Sequence, residues 1–254
     1  MKVKAILVAG GHGSRLYPFT KISQKTLLPL YDRPVIDYAL GTIRRAGIKN
    51  ITIISNQFIG QIAKHVGSGL AGEQIHYVLE ETPKGVANAL NLARPHNEDC
   101  RLLIYFSDNI TTIELSEYVD SFRQAEKNPG CILLSREEEN PNAFGVAKFD
   151  ENGDIVDIVE KPESPPSNIA IGGIYLYDEQ FWSLMDQCEK EFGEKLSITD
   201  VNRKYVENNS AQLLNIGKET WVDCGTPDSL LDLSLIHISE PTRQEAISYA
   251  VFCL

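Results

Sequence analysis

The chain begins with a short apolar run that leads directly into a glycine-rich turn. Residues 5–9, Ala-Ile-Leu-Val-Ala, predict a buried strand, and residues 10–13, Gly-Gly-His-Gly, follow at once. Glycine adopts positive φ without strain and lets the backbone approach a ligand closely. Successive backbone N–H groups in such a turn form a concave anion site. Because Arg15 and Lys25 add two cations soon afterwards, this segment predicts a phosphate-rich ligand.

Two common phosphate-binding motifs do not fit this turn. A P-loop requires Gly-Lys followed by Ser or Thr, whereas Ser14 follows Gly13 here. A dinucleotide-binding turn requires a third glycine where this chain has Leu16, which disfavours a nicotinamide-dependent reductase. The pattern that fits is G-G-x-G-x-R-L-x-P-x-T followed by K-x-L-L-P. Its fixed positions are matched by Gly10, Gly11, Gly13, Arg15, Leu16, Pro18, Thr20, Lys25, Leu27, Leu28 and Pro29.

With these residues the chain resembles the sugar nucleotidyltransferases over residues 1–232, and most closely their thymidylyltransferase branch. The resemblance implies a three-layer α/β/α, Rossmann-like fold with a mostly parallel central sheet. It implies an enzyme that transfers a nucleotidyl group from a nucleoside triphosphate to a sugar-1-phosphate and releases pyrophosphate. The substrates it favours are dTTP or UTP with glucose-1-phosphate, and the cofactor it implies is Mg²⁺.

Apolar runs alternate with amphipathic stretches along the chain, a pattern typical of a parallel α/β sheet. Strands are expected at 5–9, 51–54, 75–79, 101–106, 131–135 and 169–177. Helices are expected at 35–45, 57–66, 85–93, 115–127, 180–189 and 199–207. Residues 145–160 predict a hairpin around a turn at 151–154. We expect one domain over residues 1–232, with nucleotide bound by its first half and sugar by its second half.

The resemblance also assigns roles to charged residues. Arg15 is expected to hold the β- and γ-phosphates, because a guanidinium grips phosphate bidentately, and Lys25 lies nearer the α-phosphate. Asp108 follows a strand and Asp223 lies in Trp-Val-Asp-Cys-Gly, and together they are expected to hold Mg²⁺. An aspartate at a strand end also commonly serves as a helix cap or turn former, so the residues alone do not establish metal binding.

Sugar recognition is expected from the second half of the chain. Gly145, in Phe-Gly-Val, resembles a Y-G-V element whose glycine backbone meets the sugar. Glu160 and Lys161, in Glu-Lys-Pro, resemble an E-K-P element whose glutamate binds sugar hydroxyls and whose lysine binds the sugar phosphate. Considered alone, a charged pair at the end of a hairpin is commonly a solvated surface feature.

Two departures from the family pattern leave the base and the sugar open. Glu80 stands where the thymidylyltransferases carry a base-facing glutamine, while Gly85 is retained and lets the loop approach the base. A carboxylate accepts from thymine or uracil N3–H but cannot donate, and it suits guanine better because guanine offers two donors. Gly193 stands where the family often has a phosphate-contacting arginine, and Lys190 or Lys195 could compensate.

Two other functions are compatible with the sequence. Glu80 favours a guanylyltransferase that uses mannose-1-phosphate as the alternative enzyme. A non-catalytic regulatory protein of the same fold that binds nucleotide sugars is a further alternative. It would be expected to lack an essential cation or a metal-binding aspartate, and all of Arg15, Lys25, Asp108 and Asp223 are present.

The charge balance limits the partners. The chain has 24 Lys and Arg against 35 Asp and Glu, a formal net charge of −11, which argues against nucleic acid or an anionic membrane. No apolar run is long enough to span a bilayer, and the N-terminus does not resemble a signal peptide. Five cysteines without metal-ligand spacing suit a reducing cytoplasm. The oligomeric state stays open, with a homo-oligomer among the alternatives.

Residues 233–254 differ from the rest of the chain. Leu-Ser-Leu-Ile-His-Ile-Ser-Glu-Pro-Thr-Arg at 233–243 and Ile-Ser-Tyr-Ala-Val-Phe-Cys-Leu at 247–254 resemble translated read-through of sequencing adapters, with an index between them. We therefore expect residues 233–254 to be a non-native tail and exclude them from the predicted fold.

Overall fold

The computed structural model describes residues 2–124, 129–231 and 233, which form an α/β fold around one large sheet. The strands are β1 (Val3–Ala9), β2 (Pro29–Leu30), β3 (Arg33–Pro34), β4 (Asn50–Ser55), β5 (Gln74–Leu79), β6 (Arg101–Phe106), β7 (Asn109–Thr111), β8 (Cys131–Glu137), β9 (Gly145–Phe149), β10 (Ile155–Glu160), β11 (Ile169–Tyr177), β12 (Ala211–Asn215) and β13 (Trp221–Asp223). The α-helices are α1 (Val35–Arg45), α2 (Ile59–Val66), α3 (Val86–Ala93), α4 (Ser116–Gln124), α5 (Phe181–Phe192) and α6 (Ile198–Glu207).

The main sheet has the strand order β10-β9-β11-β6-β1-β4-β5, and β8 pairs with both β11 and β12. Strand β1 lies between β4 and β6, and these strands run parallel, as does β5 beside β4. Among the described residues, each antiparallel ladder of this sheet involves β9 or β11 from the second half of the chain. The predicted α/β fold with a mostly parallel central sheet is confirmed.

Helices cover both faces of the sheet, which gives the predicted three layers. Helices α1, α2 and α4 pack in one apolar cluster, and α3, α5 and α6 pack in the cluster on the opposite face. Helix α1 illustrates the cause, because its buried residues recur at helical spacing: Ile36, Ala39, Leu40 and Ile43. Strand β1 is covered on both faces from Ala5 onward, so residues 5–9 are continuously apolar rather than alternating.

A two-stranded ladder beside the main sheet brings distant parts of the chain together. Strand β6 ends at Phe106, and after two intervening residues β7 begins and pairs antiparallel with β13. Asn109 lies opposite Asp223 in this ladder. The backbone N–H of Cys224 donates to the carbonyl of Asp108 over 2.8 Å. The segment around Asp108 is therefore fixed against the segment around Asp223.

Part of the sequence-based interpretation falls outside the described residues. The end of the predicted helix at 115–127 and nearly all of the predicted tail at 233–254 lie there. Leu233, the first residue of that tail, is buried in a small cluster with Leu30, Val35, Ile110 and Cys224. No helix of the described residues has the length and apolar character needed to cross a membrane.

Candidate active site

The glycine-rich turn follows β1 and is shaped by close contacts. Gly13 has φ of 60°, and a Cβ there would lie 2.8 Å from Cγ2 of Thr20 and 3.2 Å from Cβ of Lys25. The hydroxyl of Thr20 donates to the carbonyl of Gly13 over 2.7 Å, which holds the turn closed. Gly11 is exposed, and a Cβ there would have no neighbour within 4 Å in the described residues. Glycine is therefore required at Gly13 by conformation and packing, while Gly11 leaves its backbone open to a ligand.

Lys25 is positioned by the buried side chain of Gln24. The carboxamide of Gln24 donates to the carbonyl of Ala9 and to Oγ of Ser55, and it accepts from the backbone N–H of Lys25. This side chain thus connects Lys25 to the carboxyl ends of β1 and β4. The ammonium of Lys25 lies 2.5 Å from Oδ2 of Asp108, and their side chains are only 10% and 26% exposed.

Asp223 completes a cluster of opposite charges around this pair. Burial raises the pKa of Asp223, and the negative charge of Asp108 raises it further, while Lys25 and Arg15 lower it. A Cβ added at Gly225 would lie 2.8 Å from both Nη2 of Arg15 and Oδ1 of Asp223. The structure therefore brings together Arg15, Lys25, Asp108 and Asp223.

The aspartates in this cluster fit a divalent cation. Oδ1 of Asp223 is buried and has no hydrogen-bond partner among the residues that the structure describes, which is costly unless a ligand or ion satisfies it. Carboxylate oxygens are the hard ligands that Mg²⁺ prefers. No group of three or more His, Cys, Asp or Glu residues in the described chain could hold a metal. A cation at Asp108 and Asp223 would thus need phosphate or water oxygens as well.

The neighbouring thiol is not suited to covalent catalysis. Burial and the negative charges of Asp108 and Asp223 raise the pKa of Cys224 to about 12. The thiolate is the nucleophilic form of cysteine, so this residue is inert near neutral pH. The chemistry of the cluster must therefore come from its charges.

A cavity of about 360 Å³ adjoins the charge cluster. Five predicted site residues line it: Gly85, Gly145, Glu160, Lys161 and Asp223. Since Asp223 also belongs to the charge cluster, the nucleotide-side and sugar-side predictions meet at this residue.

The β9–β10 hairpin positions the residues that the resemblance assigns to sugar binding. Glu160 lies opposite Gly145 in the ladder, and its Oε2 accepts from the hydroxyl of Thr199 over 2.6 Å. Lys161 follows directly and has φ of 43°, with its backbone N–H donating to the carbonyl of Phe144 over 2.9 Å. Its ammonium lies 3.4 Å from Oε1 of Glu160 and is well exposed. Both side chains therefore present charge at the edge of the cavity.

Glu80 lies beside the glycine turn and does not line this cavity. It is 3% exposed, and its Oε1 accepts from the backbone N–H of Lys84 and from the carboxamide of Asn88. A Cβ at Gly10 would lie 2.9 Å from Oε2 of Glu80, so the two residues are in close contact. Gly85 has φ of 102° and precedes α3, and this conformation favours glycine.

The proposed substitutes for the missing arginine do not lie at the cavity. Gly193 lines a second cavity of about 570 Å³ together with Lys84 and Asn88. Lys190 and Lys195 line neither of these cavities. Compensation by these lysines is therefore not apparent from the geometry.

Some residues at the site escaped sequence reasoning. Asn109, Thr199, Gly173 and Trp221 line the cavity, and each hydrogen-bonds at the site. The usable signal for Asn109 was its place directly after a strand-terminal aspartate. Thr199 offered only its place at the start of a helix, which is also common for structural threonines.

Two sequence relatives illustrate what the chain is similar to. The sequence profile of the family described as "Nucleotidyl transferase" matches residues 4–239. The low-salt glycan biosynthesis nucleotidyltransferase Agl11 of Haloferax volcanii is 31% identical over 245 residues, covering 96% of this chain and 68% of that protein. A glucose-1-phosphate thymidylyltransferase of Xanthomonas campestris is 35% identical over 231 residues, covering 89% of this chain and 78% of that protein.

Solved structures share the fold. A protein described as a glucose-1-phosphate thymidylyltransferase from Bacillus anthracis, crystallised with sucrose, superposes with a TM-score of 0.85 at 32% identity. That match covers 92% of this chain and 94% of the other. A UDP-glucose pyrophosphorylase complexed with UDP-glucose gives a TM-score of 0.81 at 20% identity, covering 94% of this chain and 100% of the other. The second likeness concerns the fold alone.

Proposed function

The chain belongs to the nucleotidyl transferase family, and we propose that it transfers a nucleotidyl group from a nucleoside triphosphate to a sugar-1-phosphate. The products are a nucleoside-diphosphate sugar and pyrophosphate. The observation that carries this proposal is the meeting of Lys25, Asp108 and Asp223 between the glycine turn and the cavity. Such a site can accept a triphosphate on one side and a sugar phosphate on the other.

The chemistry requires two phosphate groups to approach each other, so charge neutralisation and positioning are the main needs. An oxygen of the sugar phosphate forms a bond to the α-phosphorus, and the bond from that phosphorus to the bridging oxygen of pyrophosphate breaks. Arg15 would hold the β- and γ-phosphates, while Lys25 would turn from Asp108 to the α-phosphate. Mg²⁺ held by Asp108 and Asp223 would offset further phosphate charge.

The sugar phosphate would bind through the β9–β10 hairpin. Oε2 of Glu160 already accepts from Thr199, and Oε1 faces the ammonium of Lys161 over 3.4 Å. Once Lys161 binds the phosphate, Oε1 would accept from sugar hydroxyls. The exposed ammonium of Lys161 would bind the phosphate. The backbone of Gly145 lies opposite Glu160 and would contact the sugar directly.

The substrates we favour are dTTP or UTP with glucose-1-phosphate. Support comes from relatives in Xanthomonas campestris and Neisseria meningitidis, 35% and 34% identical, that are named glucose-1-phosphate thymidylyltransferases. Identity at this level supports the reaction class more strongly than the choice of base or sugar.

The second candidate is a guanylyltransferase that uses mannose-1-phosphate, and Glu80 favours it. Oε1 of Glu80 is occupied by protein donors, while Oε2 lies beside Gly10 in the turn expected to bind nucleotide. A carboxylate only accepts, so it matches the N1–H and 2-amino donors of guanine better than the mixed edge of thymine.

We also propose a cytoplasmic location for this reaction. Cys100, Cys131, Cys188 and Cys224 are buried and form no disulfide within the described part of the chain. Burial raises the pKa of Cys100 to about 11 and of Cys188 to about 11, which keeps them as thiols. Unpaired cysteines of this kind suit a reducing compartment.

The proposal is tested by measuring pyrophosphate release from dTTP, UTP and GTP, each with glucose-1-phosphate and with mannose-1-phosphate, in the presence of Mg²⁺. We expect release that requires both substrates and stops when EDTA is added. The highest kcat/KM identifies the base and the sugar. If folded protein binds nucleotide but no pair releases pyrophosphate, the regulatory alternative replaces the enzyme.

A further inference from the structure

We infer, on the basis of the proposed function, that Asn109 is a positioning residue that fixes the carboxylate of Asp108 and ties it to the wall of the cavity. Asn109 is 3% exposed, so its carboxamide must find partners within the protein. Its Nδ2 donates to Oδ1 of Asp108 over 2.9 Å. Its Oδ1 accepts from the backbone N–H of Gly173 over 3.0 Å and from Nε1 of Trp221 over 2.6 Å.

The chemistry of these partners determines which way the carboxamide points. The backbone N–H of Gly173 and the indole N–H of Trp221 can only donate, so both require an oxygen. The oxygen of Asn109 must therefore face the cavity wall, and its NH₂ group must face Asp108. The contacts with Gly173 and Trp221 thus fix the orientation of the carboxamide, so that its NH₂ group donates to Asp108.

The wall is built so that Asn109 can reach it. The ladder between β11 and β8 shifts register between Ile171 and Tyr175, and the N–H of Gly173 donates to a side chain instead. A Cβ at Gly173 would lie 2.9 Å from the carboxamide atoms of Asn109, and a Cβ at Gly172 would lie 3.1 Å from the ring of Trp221. The paired glycines therefore allow β11 to approach both residues closely.

The backbone of Asn109 is held independently of its side chain. Asn109 pairs with Asp223 across the β7–β13 ladder, and its backbone carbonyl accepts from the hydroxyl of Tyr105 over 3.0 Å. Both the backbone and the side chain of Asn109 are thus held in place, so this residue can orient Asp108, which precedes it. Such support by a neighbouring hydrogen bond is how carboxylates at reactive sites keep their orientation.

The two oxygens of Asp108 have different partners, and this gives Asn109 its role. Oδ2 contacts the ammonium of Lys25, while Oδ1 accepts from Asn109. In the proposed reaction Lys25 turns to the α-phosphate, and Asn109 then remains as the protein donor that holds the carboxylate. The wall of the sugar-side cavity and the carboxylate of Asp108 are therefore parts of one hydrogen-bonded unit.

Two substitutions separate the contacts of Asn109. Asn109→Ala removes all of its side-chain contacts. Asn109→Asp has nearly the same shape and keeps an acceptor for Gly173 and Trp221, but it replaces the donor to Asp108 with a second carboxylate. A positioning role predicts that both variants lose kcat by roughly tenfold to hundredfold, as expected when a reactive group is misplaced by about 1 Å. KM for the nucleoside triphosphate should change by less than about threefold, because Arg15 and the glycine turn are intact.

The matched control is Asn97→Asp, which changes a buried carboxamide outside the site. Asn97 is fully buried and its Nδ2 donates to the carbonyl of Ala93 over 2.7 Å. This substitution should lower thermal stability while leaving kcat per folded molecule unchanged. A readout independent of turnover is Mn²⁺ affinity without substrates, which should weaken in Asn109→Ala and remain unchanged in Asn97→Asp.

The outcomes distinguish this inference from the proposed function. If the unmodified protein is active and Asn109→Asp keeps its kcat, the donor to Asp108 is irrelevant and the inference is wrong. Unchanged Mn²⁺ affinity in folded Asn109→Ala would also overturn it. If the unmodified protein releases no pyrophosphate with any substrate pair, the proposed function itself fails.

Discussion

Replacing Lys25 with methionine should strengthen the binding of a divalent cation to the free protein. The ammonium of Lys25 lies 2.5 Å from Oδ2 of Asp108, and the two side chains are 10% and 26% exposed, so water screens the contact only weakly. A hydrogen bond between charged groups contributes about 1.5–3 kcal/mol. Binding of a cation to Asp108 competes with this contact. Since about 1.4 kcal/mol corresponds to a tenfold change, Lys25→Met should lower Kd by roughly tenfold to hundredfold.

The assay is a titration with Mn²⁺ in the absence of substrates, followed by electron paramagnetic resonance of the free ion. Lys21→Met is the matched control, because Lys21 is an exposed lysine in the neighbouring turn whose ammonium lies over the ring of Tyr17. That variant should leave Kd for Mn²⁺ unchanged. Turnover by Lys25→Met should fall despite tighter metal binding, because the α-phosphate loses its cation. Unchanged or weaker Mn²⁺ binding in folded Lys25→Met would refute the competition between lysine and metal.

Three further outcomes are expected. Glu80→Gln should shift relative kcat/KM from GTP toward dTTP and UTP, because an amide both donates and accepts, and unchanged ratios would remove Glu80 from base recognition. Burial, His96 and Lys4 lower the pKa of His76 in the folded protein, so the unfolded chain binds the proton first and stability should decline as pH falls below about 6.5. Urea unfolding at pH 7.5 and pH 5 checks this, and His76→Gln should reduce the decline. Deleting residues 234–254 should change the free energy of unfolding by less than about 1 kcal/mol, as calorimetry can measure.

Sequence patterns predicted the long elements well. The helix at Val35–Arg45 and the strands at Arg101–Phe106 and Ile169–Tyr177 begin and end where the patterns indicate. Each has an apolar period or a continuous apolar run that burial imposes locally. By contrast, β7 and β13 were not predicted, because each is only three residues long and owes its existence to a distant partner. Edge strand β12 was also missed, since its sequence Ala-Gln-Leu-Leu-Asn shows no clear alternation.

The sequence indicated which residues belong to the candidate site, but it did not indicate the contacts between them. The glycine turn and its cations were visible in the sequence, and the resemblance supplied the aspartates. The contact between Lys25 and Asp108 depends on the fold, because Gln24 anchors one residue and β6 the other. The carboxamide of Asn109 could not be assigned a role, since its acceptor contacts come from β11 and β13. Long-range pairing, rather than local pattern, creates these relations.

The central claim is that this chain joins a nucleotidyl group to a sugar phosphate at the cluster of Lys25, Asp108 and Asp223. The most direct measurement is ³¹P nuclear magnetic resonance of one reaction mixture containing the preferred triphosphate, the sugar-1-phosphate and Mg²⁺. The account predicts that resonances of pyrophosphate and of the nucleoside-diphosphate sugar grow in equal amounts, and that folded Asp223→Asn slows both by about a hundredfold or more. Growth of inorganic phosphate instead, or an unchanged rate in Asp223→Asn, would contradict the claim.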